Sequence, residues 1–185
     1  MVFQDRTYTR SEYEAISERY PDKRLELING EIVEKVPTQL HAFIVHMLSG
    51  FLFIFLQKNP IGSALVEARY SLPDDADNDR IPDLSFISKG KGPLVETGAA
   101  PYMPDLAIEV QSPGQSDRFM ADKAAYYLAH GSRMVWLVYP DKRLVEILTL
   151  TDRQLLTASD NLEGGDVLTG FRLLVKDIFP AEERT

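Results

Sequence analysis

Two acidic residues stand in stretches patterned as β-strands, and a lysine stands on the apolar side of a helix that follows them. In Pro104-Asp105-Leu106-Ala107-Ile108-Glu109-Val110-Gln111-Ser112-Pro113 the alternation puts Asp105, Ala107, Glu109 and Gln111 on one face and Leu106, Ile108 and Val110 on the other. Upstream, Ile81-Pro82-Asp83-Leu84-Ser85-Phe86 repeats the form, with Asp83 and Ser85 opposite Leu84 and Phe86. If the two strands pair, Asp83 and Glu109 can share a cation. The stretch Asp117 to His130 reads as a helix whose apolar rows are Phe119 to Tyr127, which includes Lys123, and Met120-Ala124-Leu128. An ammonium facing a sheet costs desolvation unless anions meet it, and Glu109 and Asp83 are the anions at hand. Two carboxylates with a lysine overhead form an arrangement that holds a divalent metal and stabilises negative charge during attack on a phosphodiester. The plainer reading of the same residues is a structural ion pair.

Those strands and that helix need a frame. Thr9 or Ser11 caps a first helix that runs to about Tyr20 and stops before Pro21. Arg24 to Ile28 and Glu31 to Val36 flank Asn29-Gly30, the dipeptide of a two-residue type I′ hairpin. A long helix spans Gln39 to Lys58, and Ser63 to Leu72 reads as a strand. Asp74 to Asp79 is a turn-rich acidic loop, and Lys89 to Met103 is a Gly/Pro-punctuated loop placed to lie beside the site and cover a substrate. Arg133 to Tyr139 is a nearly continuous apolar run, the mark of a central strand buried on both faces. Leu144 to Leu148 and Arg153 to Ala158 are further strands, with a turn at Gly164-Gly165-Asp166 and apolar closure from Phe171 to Phe179. The order is α/β: a mixed sheet flanked by helices, with an N-terminal helix and β-hairpin.

Composition bounds the function. The 185 residues, 44% of them hydrophobic, suit one domain, 1–185, with a real core. The absence of cysteine removes disulfides, a thiol nucleophile and cysteine-ligated zinc, and it fits a reducing compartment, so the cytoplasm is the expectation. Met1 to Arg6 lacks the basic and apolar regions of a signal peptide. The apolar stretch Ala42 to Leu56, interrupted by His46, Ser49 and Gly50, falls short of the roughly 20 residues of a membrane span and reads as a buried helix, so no membrane partner is expected. A formal charge of −8 argues against tight nonspecific DNA binding, while Arg69, Arg80, Lys89, Lys91, Arg118 and Lys123 can still make a local positive groove.

Other polar residues read more simply. His41 and His46 are five apart, about 140° around a helix, and do not make the four-residue pair that binds zinc. His130 beside Gly131 is a helix C-terminal residue, and Ser112 and Ser116 have no histidine–acid pairing nearby. The Asp74 to Asp79 loop lacks the glycine and closing glutamate of an EF-hand. Tyr126 and Tyr127 read as packing and hydrogen-bonding residues.

Taken together, Arg24-Leu25-Glu26-Leu27-Ile28-Asn29-Gly30-Glu31-Ile32-Val33, His41 opening the long helix, Pro82-Asp83-Leu84-Ser85-Phe86, Pro104 to Val110 with Ser112-Pro113, Lys123 with Tyr126-Tyr127, and Val135-Trp136-Leu137-Val138 resemble the Uma-type restriction-endonuclease family of the PD-(D/E)xK nuclease superfamily. The resemblance spans roughly residues 8 to 148. It implies the restriction endonuclease-like fold, with Asp83 as the metal-binding aspartate and Glu109 as the acid of the following motif. Where the superfamily carries a lysine two positions after that acid, this chain carries Gln111, and Lys123, reaching in from the next helix, is the matching candidate. Glu26 resembles an additional acid contributed from near the first helix, and His41 a residue lining the cleft.

The expectation is a Mg²⁺- or Mn²⁺-dependent DNA endonuclease. Asp83, Glu109 and the carbonyl of Val110 would hold the metal, Lys123 would offset phosphate charge and Gln111 would position a water. Double-strand cleavage makes a homodimer or higher homo-oligomer the natural assembly. Two other classes remain open: a catalytically inactive nuclease-fold module that binds nucleic acid or protein, and an oligomeric structural protein with a remnant cleft.

Overall fold

The computed structural model describes residues 6–181, so the opening residues that bear on a leader lie outside the described part. The described chain falls into two compact units. The smaller comprises the N-terminal segment to Val36 with residues 68–81 and 94–103, and the larger holds the remainder.

In the smaller unit, helix α1 (Arg10–Arg19) begins at Thr9, whose side chain accepts from the Glu12 N–H while the Glu12 carboxylate accepts from the Thr9 N–H, a reciprocal cap. Strands β1 (Leu25–Ile28) and β2 (Glu31–Glu34) pair antiparallel. Asn29 and Gly30 between them have φ of 51° and 78°, the left-handed pair a type I′ turn requires. Tyr8, Tyr13, Leu25, Leu27 and Ile32 form its apolar centre, and Asp79 is buried beside Arg69, whose Nε donates to Asp79 Oδ1 at 2.7 Å.

In the larger unit a six-stranded mixed sheet has the order β3 (Gly62–Val66), β4 (Leu84–Ser88), β5 (Leu106–Val110), β6 (Met134–Tyr139), β7 (Leu144–Leu148) and β8 (Arg153–Leu156). Only β5 and β6 run parallel, joined through helix α3 (Asp117–Ala129), while the other neighbours pair antiparallel. Every residue of β6 is buried, as its unbroken apolar run predicts. A separate two-stranded sheet, β9 (Asn161–Glu163) with β10 (Arg172–Leu174), and a 3₁₀ turn at Val175–Ile178 close the core.

Helix α2 (Gln39–Lys58) has the predicted bounds, capped by Thr38, whose side chain accepts from the His41 N–H. Its Ile44, Leu48 and Leu52 pack with Leu84, Phe86, Leu106, Ile108, Val110, Trp136 and Val138. The alternation of β5 therefore gives Ile108 and Val110 to the α2 side and Glu109 to the α3 side.

Two expectations are corrected. The strand predicted from Ser63 to Leu72 ends at Val66, because Glu67 takes a left-handed φ of 49° that breaks the extended run. The apolar helix is not short of membrane-span length: it runs 20 residues with a mean hydropathy of 1.8 in its most apolar window. His46, Ser49 and Gly50 do not interrupt a helix, and only one face of it is buried, leaving Phe53 and Ile54 exposed.

Candidate active site

The register of the sheet sets the two acids together. Leu84 pairs with Ile108 and Ser85 with Ala107, so one further step places Asp83, at the mouth of β4, opposite Glu109 on the same face of the pair. The contact that fixes Asp83 crosses this step: the Val110 N–H donates to Asp83 Oδ2 at 2.7 Å. The backbone on the other side of Asp83 is tied as well, its carbonyl accepting from the Glu67 N–H at 3.2 Å.

Helix α3 brings the cation. Ser116 caps it by accepting from the Phe119 N–H, and the helical rows then aim Lys123 and Tyr127 at β5. Lys123 Nζ lies 2.8 Å from Glu109 Oε2, and both side chains are buried. Tyr127 donates its hydroxyl to Glu109 Oε1 at 2.8 Å. Each oxygen of Glu109 thus has a helix-borne partner, a charge-assisted arrangement that offsets the desolvation of both ions.

Helix α2 supplies a side chain that spacing along the helix had set aside. His41 Nε2 lies 3.1 Å from Asp83 Oδ2, with both residues buried. Comparison with His46 misses it because its partner comes from another element. The detectable signal is a polar residue in the row His41-Ile44-Leu48-Leu52, whose other members are core.

The remaining candidates sit as follows. Gln111 follows β5 and donates its amide to the Gln115 carbonyl at 2.9 Å and to Asp117 Oδ1 at 3.2 Å, so it ties the turn into α3. Val110 places its N–H on Asp83. Glu26 belongs to the smaller unit, where it is buried and accepts from the Ile81 N–H at 2.7 Å. Asp105, the other acid of the β5 face, ties the start of β5 to the end of β4. Its Oδ2 accepts from the Ser88 N–H and hydroxyl, each at 2.8 Å, and Lys91 Nζ stands 3.4 Å from Oδ1. Burial pushes the Asp105 carboxyl up, but the Ser88 hydrogen bonds and the Lys91 charge outweigh it and hold the group below the usual carboxylate range.

The donor set suits a hard divalent cation: carboxylate oxygens from register-adjacent residues with an imidazole against one of them. Among the described residues no three histidine, aspartate or glutamate side chains stand in a ready-made cage. A cation here would therefore be held by few protein donors and by water, as Mg²⁺ is in sites of this kind.

The six-stranded mixed sheet with flanking helices is a fold shared with a solved structure. A putative nuclease belonging to DUF820 from Anabaena variabilis, known from its crystal structure, superposes with a TM-score of 0.78 at 25% identity, over 92% of this chain and 97% of that one. The model of the Uma2 family, described as "Putative restriction endonuclease", matches residues 10–178. The chain belongs to that family. No curated protein matches it.

Proposed function

We propose that the protein is a divalent-metal-dependent endonuclease that hydrolyses phosphodiesters of DNA, with Mg²⁺ or Mn²⁺ as cofactor. The observation that carries this reading is the buried Lys123–Glu109 contact of 2.8 Å beside the register-paired Asp83. Asp83 and Glu109, with the Val110 carbonyl, would hold the cation, which when bound supplies positive charge to the phosphoryl oxygens. Water adds to phosphorus and gives up a proton to solvent, the ester P–O bond breaks, and the leaving oxygen takes up a proton from solvent. Lys123 contributes a fixed ammonium toward the charge that grows on the phosphate in that step. Its position on a packed helix means the charge needs little reorganisation during reaction. A homodimer, working in the cytoplasm, would set two such sites on the two strands of a duplex.

A second reading is favoured by Gln111. The strand position that carries lysine in the wider superfamily holds an amide engaged with the Gln115 carbonyl and Asp117, and the chain carries a net charge of −8. Gln111 fits a nuclease fold that does not cut, and the negative charge fits such a fold serving as a nucleic-acid-binding or, more readily, a protein-interaction module. Incubation of plasmid and single-stranded DNA with wild type, Asp83→Ala and Lys123→Ala in Mg²⁺ or Mn²⁺ separates the two. Cutting by wild type that both variants lose supports the nuclease, whereas a salt-sensitive mobility shift without cutting in any metal selects the binding module.

A further inference from the structure

We propose that Tyr127 is a positioning residue for the reaction: its hydroxyl holds one oxygen of Glu109, which fixes the plane of that carboxylate and, through the other oxygen, the place of the Lys123 ammonium. The assignment rests on the nuclease reading above and adds to it a residue that acts through Glu109 and Lys123.

One helix face delivers both partners. Lys123 and Tyr127 stand four residues apart on α3, so their side chains reach β5 from neighbouring turns. The ammonium meets Glu109 Oε2 at 2.8 Å, and the phenol donates to Glu109 Oε1 at 2.8 Å. Tyr127 is wholly buried, and its backbone is held as well, its carbonyl accepting from the Ser132 N–H at 3.0 Å where α3 gives way to β6. On the sheet side Glu109 is in register with Leu137 of the buried strand β6.

The two donors differ in stiffness, and that sets which of them leads. A packed aromatic ring carries its hydroxyl to one place, whereas the four-carbon stem of a lysine is flexible. The last torsion of a glutamate is broad. The rigid phenol therefore sets the plane of the Glu109 carboxylate, and the ammonium follows the oxygen it meets. Without the hydroxyl the carboxylate turns about that torsion and the ammonium moves with it. Packing alone would be served by phenylalanine, since a buried hydroxyl costs free energy unless it is paired. A misplacement of about 1 Å in a group that stabilises the reacting centre can cost about 10²-fold in rate, so the hydroxyl is expected to affect the chemical step far more than the binding of DNA.

The test is single-turnover cleavage of plasmid in Mn²⁺ by wild type, Tyr127→Phe, Lys123→Met and the double variant, with DNA affinity taken from the dependence of rate on protein concentration. Tyr127→Phe is expected to lower the cleavage rate constant at least tenfold with less than a twofold change in DNA affinity. In the Lys123→Met background the same substitution is expected to lower the residual rate less than twofold, because the group it positions is gone. A merely structural tyrosine would reduce the active fraction alike in both backgrounds. Replacing Tyr127 by 4-aminophenylalanine, which keeps a donor on a ring of the same shape, is expected to bring the rate back to within threefold of wild type. Replacing it by 4-fluorophenylalanine, which fills the hydroxyl's space without donating, reads the same loss should Tyr127→Phe fail to fold. Cutting at the wild-type rate without the hydroxyl, equal losses in the two backgrounds, or no rescue by the amino group overturns the positioning role and leaves the nuclease reading standing. Wild type that cuts nothing in any divalent metal overturns both.

Discussion

Lys123 Nζ and Glu109 Oε2 are 2.8 Å apart, and each side chain is only 2% exposed. An ion pair this deep is stable as a pair and costly as a remnant, because removing one partner leaves the other charge in a medium that solvates it poorly. Lys123→Met and Glu109→Gln are each expected to lose about 3 kcal/mol of stability, and the double variant less than the sum of the two. Urea unfolding of the four proteins measures the coupling. Additive losses would show that the two charges do not depend on one another.

Function divides the site differently from stability. On the proposed reading Asp83 holds the cation, so Asp83→Asn is expected to weaken both Mn²⁺ binding and cleavage. Lys123→Met leaves the oxygen donors in place and is expected to lower the cleavage rate by about 10²-fold or more, with a much smaller change in metal affinity. Calorimetric metal titration alongside single-turnover cleavage reads the split. Equal losses of affinity in both variants would contradict the division of roles.

Two glycines predict opposite outcomes for the same substitution. Gly30 has φ +78°, and a Cβ there would lie 2.3 Å from Thr7 Cγ2, so Gly30→Ala is expected to cost about 1–3 kcal/mol. Gly50 lies inside α2, and a Cβ there meets nothing within 4 Å. Gly50→Ala is expected to gain about 0.5–1 kcal/mol from helix propensity. Thermal melts of both variants check the pair, and destabilisation by Gly50→Ala would mean that its outer face is already covered in solution.

Alkaline stability tests the smaller unit. The Tyr13 hydroxyl donates to the Leu25 carbonyl at 2.8 Å, and burial, with the Asp79 carboxylate adding to it, pushes its pKa up to about 12. A folded-state pKa raised above the unfolded value near 10 gives a contribution that is whole below pH ~10 and is lost as pH rises toward 12. Tyr13→Phe is therefore expected to be less stable than wild type at pH 8, by about 1 kcal/mol for the lost hydrogen bond. That gap narrows at pH 11.5, and denaturant midpoints at the two pH values give it. A gap that widens would contradict the burial of the phenol.

How far these features can be read from sequence depends on the range of the interactions. The α1 cap at Thr9, the Asn29-Gly30 turn and the bounds of α2 and α3 are local and legible, because caps, left-handed turn residues and apolar periodicity act within a few positions. The proximity of Asp83 and Glu109 follows once β4 and β5 pair, since alternation already puts each acid on a known face. The end of β3 at Glu67 was not legible, as its left-handed φ belongs to a residue with no turn signature. Nor was the β9–β10 sheet, whose three-residue strands are too short to show a period. His41 was marked as lining the cleft only through the family resemblance, and its partner was not legible, because the contact is with a residue 42 positions away. Gln111 was aimed by alternation at the site, but the turn into α3 offers its amide two nearer acceptors.

The central claim is that the acids and the lysine form a working catalytic centre, and cleavage of supercoiled plasmid in Mn²⁺ tests it most directly. Wild type, Asp83→Asn and Lys123→Met are purified in parallel, shown to be folded, and followed over time on a gel. Wild type is expected to nick or linearise the plasmid, dependent on the added metal, and both variants to lose this activity. Intact plasmid with wild type in every divalent metal tried, or equal cutting by all three proteins, would contradict it.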